Sequence, residues 1–293
     1  MPESCGCQAL PRRHCDICYA KGRVFMACSL GCLNAHQLTH GELFSGAERA
    51  KTLLTEMNAS HPDSSESFAL HRQRLMDLVA RAGGGRRLLV LGVGNASDLD
   101  LPYLAEMFDE VHLADLDGAA LDRAKARQPE AVRARLTLHP DVDLSGVLEQ
   151  LDDWGEAFPE PGVLGPTAVT AARRLVEQLG TFDVVLSTCV LSQLTLPFRR
   201  SWIAPASTWA NLNAAITAIH LATLAGCSSR RGILAFDVQT QGDFVTPDPE
   251  SLLAQLRSPG LAPLVSEPTL TAPWKWNLGD VEQLVYAIEF AHP

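Results

Sequence analysis

Apolar residues along the chain fall into short runs separated by longer amphipathic stretches. The runs at 87–91, 111–114, 134–139, 183–187, 232–237 and 283–290 have strand length, and most are continuous rather than alternating. Continuous apolar runs are what strands buried on both faces require. Between and after them, leucine and alanine recur at helical spacing over 101–108, 118–127, 144–151, 167–179, 208–224 and 250–257. Strand and helix in alternation predict an α/β fold: a doubly wound, mostly parallel sheet with helices on both faces and its ligand at the carboxyl ends of the central strands. Ahead of the first strand, 45–57 and 65–82 are also helical in pattern, with 59–64 as the break and Gly83-Gly84-Gly85 as the stop. These two helices are expected near the mouth of the ligand site, and His71 is expected as an exposed helix residue. The stretch 154–166, rich in proline and glycine, predicts a loop.

The stretch 88–101, LLVLGVGNASDLDL, organises the rest. A buried strand runs into Gly92-Val93-Gly94 and then into a polar turn with Asn95, Ser97 and Asp98, ahead of a helix. Bare backbone N–H groups and a helix N-terminus then face one ligand. The next strand, 111–114, ends on Asp115. An acid at that place accepts the two ribose hydroxyls of a nucleotide lying over the glycine turn. The pair marks a nucleotide-type cofactor site.

The cysteines are a second pattern. Cys5, Cys7, Cys15, Cys18, Cys28 and Cys32 are followed by His36 and His40. Eight soft ligands in closely spaced pairs match two closed tetrahedral zinc sites, in a segment with too few apolar residues to fold unaided. If 30–40 is helical, Cys32 and His40 stand roughly 12 Å apart along the axis, too far to share one ion. His36 and His40, one turn apart, can chelate together. The expected cross-brace places Cys5, Cys7, Cys28 and Cys32 on one zinc and Cys15, Cys18, His36 and His40 on the other. His14 is expected at the surface.

The run ACSLGCLNAHQLTH resembles the second half of MYND-type and HIT-type zinc fingers. That resemblance covers residues 5 to 40 and implies a protein-interaction module; a zinc-stapled cap on the larger domain is the competing role. The first knuckle here is Cys-x-Cys and the last ligand is His40, where those families often have Cys-x2-Cys and Cys.

Residues 85 to 290 resemble the class I S-adenosylmethionine-dependent methyltransferases. The landmarks occur in order: LLVLGVGNASD, HLADLD, LHPDVD, FDVVLSTCVLSQL and RGILAFDV, with WKWNLGDVEQLVYAIEF as the final antiparallel strand. The resemblance implies a Rossmann-like sheet and S-adenosylmethionine as cofactor. By position it places Gly92, Gly94 and Asn95 in the turn against the methionine moiety, Asp115 on the ribose and Leu116 against adenine. Asp141 or Asp143 would approach the exocyclic amine, with Val142 between them, and Ser187 and Thr188 would line the floor facing the acceptor. The acid usual two positions before the first glycine is Val90, and the third glycine is Ala96. Asp98 is the nearest substitute for the missing negative charge beside the sulfonium or amino group.

The domains expected are a two-zinc finger over 1–42, a helical linker or cap over 43–84 and a methyltransferase domain over 85–293. With 24 basic and 34 acidic residues, a net charge of −10 disfavours a nucleic-acid partner. No apolar run is expected to span a bilayer, and the cysteine-rich start is expected in a reducing, cytoplasmic setting. The fourth landmark, STCVLSQL, lacks the Asn/Asp-Pro-Pro-Tyr run of amide and nucleobase-amine methyltransferases, which favours a small molecule or protein side chain as acceptor. Cys189, Gln193, Tyr103, Trp202, Trp209, Trp274 and Trp276 are secondary candidates for the acceptor side, and no general base is identified. Two classes of function follow: an active methyltransferase whose zinc module shapes the pocket or recruits a partner, or a catalytically degenerate, zinc-dependent interaction protein. The purified chain is expected to carry two zinc ions, and His40→Ala to release one of them by elemental analysis. An unchanged metal content would contradict the ligand pairing.

Overall fold

The computed structural model describes residues 66–150, 161–195, 206–238, 248–278 and 281–293, together with the helical residues 51–52, 54–56 and 58–59 and three short N-terminal strands. Those strands, β1 (Glu3–Ser4), β2 (Arg13–His14) and β3 (Phe25–Ala27), form a small sheet of their own, with β3 between a parallel β1 and an antiparallel β2. The eight expected zinc ligands, Cys5, Cys7, Cys15, Cys18, Cys28, Cys32, His36 and His40, lie outside the described residues.

The remaining elements build one eight-stranded sheet. In chain order they are α1 (Ala69–Ala82), β4 (Gly85–Leu91), α2 (Leu101–Met107), β5 (Phe108–Ala114), α3 (Gly118–Ala126), α4 (Glu130–Arg133) and β6 (Leu136–His139). There follow α5 (Pro161–Leu179), β7 (Phe182–Thr188), α6 (Leu191–Leu194), α7 (Ala206–Cys227), β8 (Ser228–Val238) and α8 (Pro249–Leu256), and finally β9 (Ser266–Leu270), β10 (Trp274–Leu278) and β11 (Val281–Ala291). The strand order is β10-β11-β8-β7-β4-β5-β6. From β6 to β8 all pairings are parallel, while β11 runs antiparallel to β8. The order reverses at β4, which lies between β5 and β7, and a doubly wound sheet opens its ligand crevice at that point. The strand beyond β11 is made in two pieces: β10 pairs with residues 281–285 and β9 with residues 288–291 of the same strand.

Alternate residues of the central strands feed two cores. Leu89, Leu91, Val185, Phe182, Leu234 and Phe236 pack against Leu175, Ile216, Ile219 and Leu253 of α5, α7 and α8. Leu88, Val90, Val111, Leu113, Val184 and Ala235 pack on the opposite face with Leu75, Val79, Leu104 and Leu121 of α1, α2 and α3. Each buried aliphatic side chain contributes about 1.5–3 kcal/mol, so both helical layers are tied to the sheet by apolar area.

Several boundaries differ from the sequence pattern for local reasons. Residues 144–149, the described part of the expected helix 144–151 that precedes residue 150, form turns instead, because the Asp143 carboxylate gathers the Ser145 and Leu148 N–H groups and Gly146 takes φ +70°. Part of 154–166 is helix: α5 covers Pro161–Leu179, and Pro166 within it lies on the exposed side, where water serves the carbonyl left without a donor. Residues 209–227 of α7 are long and apolar enough to cross a membrane by length and composition, contrary to the expectation of no such run. Leu212, Ile216, Ile219 and Leu224 of that helix are instead buried in the core.

Gly92 is a point of close packing in the turn after β4. Its φ is +78°, and a Cβ there would lie 2.5 Å from Val190 Cβ. Gly92→Ala is therefore expected to cost roughly 2 kcal/mol or more in chemical denaturation, from left-handed strain and overpacking together. A loss within about 0.5 kcal/mol, the range of ordinary surface substitutions, would contradict this packing.

Candidate functional site

A cavity of about 610 Å³ opens at the carboxyl ends of β4, β5 and β7. The glycine turn forms its floor. Gly92 N donates to Ala114 O at 2.9 Å, and Gly94, at φ +49°, donates its N–H to Asp115 Oδ2 at 2.7 Å. Asp115 Oδ1 accepts from Asp117 N at 2.8 Å. On the other side, Thr188 Oγ1 donates to Gly92 O at 2.9 Å. The turn is thus clamped from both neighbouring strands. A carboxylate has about four acceptor positions, so Asp115 retains capacity toward the cavity it lines. Burial pushes its pKa above the usual carboxylate value, against the backbone N–H groups that lower it.

Asp98 is the second acid on the wall. It is 9% exposed, and burial raises its pKa to about 7, opposed by hydrogen bonds from its own backbone and Thr188 and by the Arg72 charge. The Arg72 guanidinium donates to Ser97 O at 2.7 Å, which holds that cation beside the turn. Ala96, where the resemblance expects a third glycine, adopts φ +56° all the same; the loop keeps its left-handed step at a cost on the order of 1 kcal/mol.

Of the residues expected at a cofactor, Gly92, Gly94, Asn95, Asp98, Asp115, Leu116, Val142 and Thr188 line this cavity. Asp141, Asp143 and Ser187 do not. Asp141 is ion-paired with Lys51. Asp143 is turned inward to serve Ser145 N, Ser145 Oγ and Leu148 N, at 2.9, 2.6 and 2.8 Å. Ser187 points to the other face of the sheet, where its hydroxyl meets His220 Nε2 at 2.8 Å. Asn95 lends more to the loop than to the lining: its amide donates to Asn58 O at 2.7 Å and accepts from Arg123 at 3.1 Å.

The rest of the wall comes from elements outside the glycine turn. Leu54, Asn58, Ser67 and Phe68 reach it from the two stretches ahead of β4, and Leu144, Cys189, Val190, Gln193, Leu194 and Trp276 complete it. Tyr103 lies outside it, against a smaller depression shared with Arg72 and Asp100.

His71 departs most from expectation. It is 1% exposed and stacks on Trp276, with centroids 4.3 Å apart and planes at 9°. Trp274 Nε1 donates to His71 Nδ1 at 3.0 Å. With Nδ1 committed as acceptor, the ring proton sits on Nε2, which faces Cys189 Sγ at 3.9 Å. Burial lowers the His71 pKa to about 3, so the ring stays neutral. One imidazole therefore joins α1, β10 and the end of β7. Its spacing was a usable signal, since His71, Leu75, Leu78 and Ala82 recur at helical intervals on one buried stripe. Cys189 follows β7 with φ +43°. Burial pushes its thiol well above the ordinary value, with Asp237 and Asp98 adding to the rise. It is a protonated thiol lining the cavity, not an activated nucleophile.

No family model and no curated protein matches the chain. Among solved structures, the chain is similar to the N-methyltransferase NodS of Bradyrhizobium japonicum in complex with S-adenosylhomocysteine, at 12% identity over 84% of this chain and 99% of that one, with TM-score 0.48. It is also similar to magnesium protoporphyrin IX methyltransferase (ChlM) of Synechocystis with bound S-adenosylmethionine, at 16% identity, 76% and 80% coverage and TM-score 0.43. A SAM-dependent methyltransferase of Aquifex aeolicus is similar at 12% identity, 82% and 98% coverage and TM-score 0.42.

Two pH dependences follow from the buried groups. The folded chain holds a proton on Asp98 up to about pH 7, whereas the unfolded chain releases it near 4. Stability is therefore lost as pH rises between these values, and Asp98→Asn is expected to flatten that part of the profile. His71 has the opposite sign. Its depressed pKa of about 3 makes stability fall as pH drops below about 6.5, and His71→Gln is expected to weaken that acid limb. Denaturation midpoints across pH 4 to 8 check both, and profiles parallel to the parent chain would contradict them.

Proposed function

We propose that this chain is an S-adenosylmethionine-dependent methyltransferase of the class I fold, acting on a small molecule or a protein side chain. The observation that carries this reading is one cavity at the sheet's reversal point that joins a glycine turn to the buried Asp98 and the half-buried Asp115. Asp115, at the tip of the strand beside the turn, has acceptor capacity for ribose hydroxyls. Leu116 and Val142 offer apolar surface for an adenine ring, and Gly92 and Gly94 keep the floor free of side chains.

Asp98 supplies what the glycine motif otherwise lacks. Its carboxylate stands in the cavity where a sulfonium or ammonium cation would offset its desolvation, which accounts for a buried acid with no lysine or arginine bonded to it among the described contacts. A sulfonium methyl is activated already, so the protein's task is to align a nucleophile with the carbon–sulfur bond and exclude water. The resemblance of the cysteine-rich segment to two-zinc fingers supports a structural zinc module that shapes the pocket or recruits a partner. The charge balance disfavours a nucleic-acid partner, and the cysteine-rich segment suits a reducing, cytoplasmic setting.

The competing reading is an interaction protein that has lost the cofactor. Thermal denaturation with S-adenosylmethionine, S-adenosylhomocysteine and NAD separates the two. Both sulfur ligands are expected to raise the midpoint with concentration, by about 2.7 kcal/mol of added stability at a hundredfold excess over Kd. Asp115→Ala should remove the effect and NAD should show none. A midpoint indifferent to both sulfur ligands would overturn the proposal.

A further inference from the structure

The glycine turn, Asp115, Leu116 and Val142 account for one end of the cavity, and Phe68, Cys189, Gln193 and Trp276 line the remainder. This second end has a definite chemistry. The Phe68 and Trp276 rings meet edge to face with centroids 5.0 Å apart. Trp276 is 7% exposed, and its plane is fixed by the parallel His71 ring behind it, itself held by Trp274. The aromatic surface is therefore rigid before any ligand arrives.

The field at this end is negative. Asp98 lines the wall directly, and Asp237, 3% exposed and bonded to Ser192 at 2.8 Å, stands behind Cys189. Both acids act on the Cys189 thiol and oppose its ionisation. His71, the titratable ring packed against the same thiol, is neutral, and the Arg72 guanidinium is directed at Ser97 O. Rigid aromatic faces beside a desolvated carboxylate select a cation or a group that becomes one. A cation there draws out the charge of Asp98, whereas an anionic acceptor would push both acids further toward their protonated forms.

Resting on the methyl-transfer reading, we infer that this end of the cavity is an acceptor subsite for an amine on an apolar or aromatic skeleton, with Phe68 and Trp276 holding the skeleton and Asp98 facing the nitrogen. The amine enters as ammonium and gives one proton to the Asp98 carboxylate. The freed nitrogen lone pair forms the new bond to the methyl carbon while the carbon–sulfur bond breaks. That electron pair returns to sulfur, leaving a neutral thioether and a methylated ammonium. The positive charge lost by the sulfonium is thus regained by the product nitrogen in the same field, and Asp98 returns its proton to water when the site opens.

The test is calorimetric titration with three probes of one shape: 2-phenylethylamine, 2-phenylethanol and 3-phenylpropionate, each with and without saturating S-adenosylhomocysteine. The amine is expected to bind at least about tenfold tighter than the carboxylate. Asp98→Asn should erase that preference, and Phe68→Leu and Trp276→Leu should weaken amine and alcohol together. Two aromatic variants are used so that a folding defect in one does not decide the result. Equal affinity for amine and carboxylate, or a preference unaltered by Asp98→Asn, would overturn the inference. Failure of S-adenosylhomocysteine to bind while the amine preference persists would uphold the subsite and count against methyl transfer instead.

Discussion

The structure depends on how the glycine turn after β4 is closed. Two neighbouring strands hold it: Asp115 at the end of β5 takes the Gly94 N–H, and Thr188 at the end of β7 donates to the Gly92 carbonyl. Val190 fills the space that any side chain at Gly92 would need. Because β5 and β7 lie on opposite sides of β4, the clamp forms only once the sheet order has reversed there. Sheet topology, loop conformation and cavity floor are therefore one event. The conformation of the cavity floor is set by covalent and sheet geometry, with the Gly92 and Gly94 N–H groups already bonded within the clamp.

This closure also explains the division of labour among the acids. Asp117 and Asp143 spend their carboxylates within the protein, on backbone N–H groups of the helix and turn they begin and, for Asp117, also on the Asn58 amide and Arg123. Asp115 does so only in part, and Asp98 faces the cavity with burial raising its pKa. The first two behave as caps worth about 1 kcal/mol each. The other two keep charge or acceptor capacity in reserve at a desolvation cost, which is the expected condition of groups whose partner is a ligand.

Much of this was legible in the sequence. Continuous apolar runs placed the parallel strands because such strands are buried on both faces, and the glycine turn with Asp115 located the cavity. What failed was decided by partners distant in the chain. His71 has an ordinary helical setting, and only β10, some 200 residues later, covers it with Trp274 and Trp276. Ser187 and Thr188 are adjacent, yet strand alternation sends the first to His220 and leaves the second at the site. The sequence 144–151 has helical spacing, but the Asp143 carboxylate captured its first N–H groups in a turn.

The most direct test of the central claim is a crystal structure of the full chain grown with saturating S-adenosylhomocysteine. The ligand should lie across the glycine turn, with both ribose hydroxyls about 2.7 Å from the Asp115 carboxylate, adenine against Leu116 and Val142, and sulfur toward Thr188. A ligand bound elsewhere, or a cavity holding only solvent in those crystals, would contradict the account.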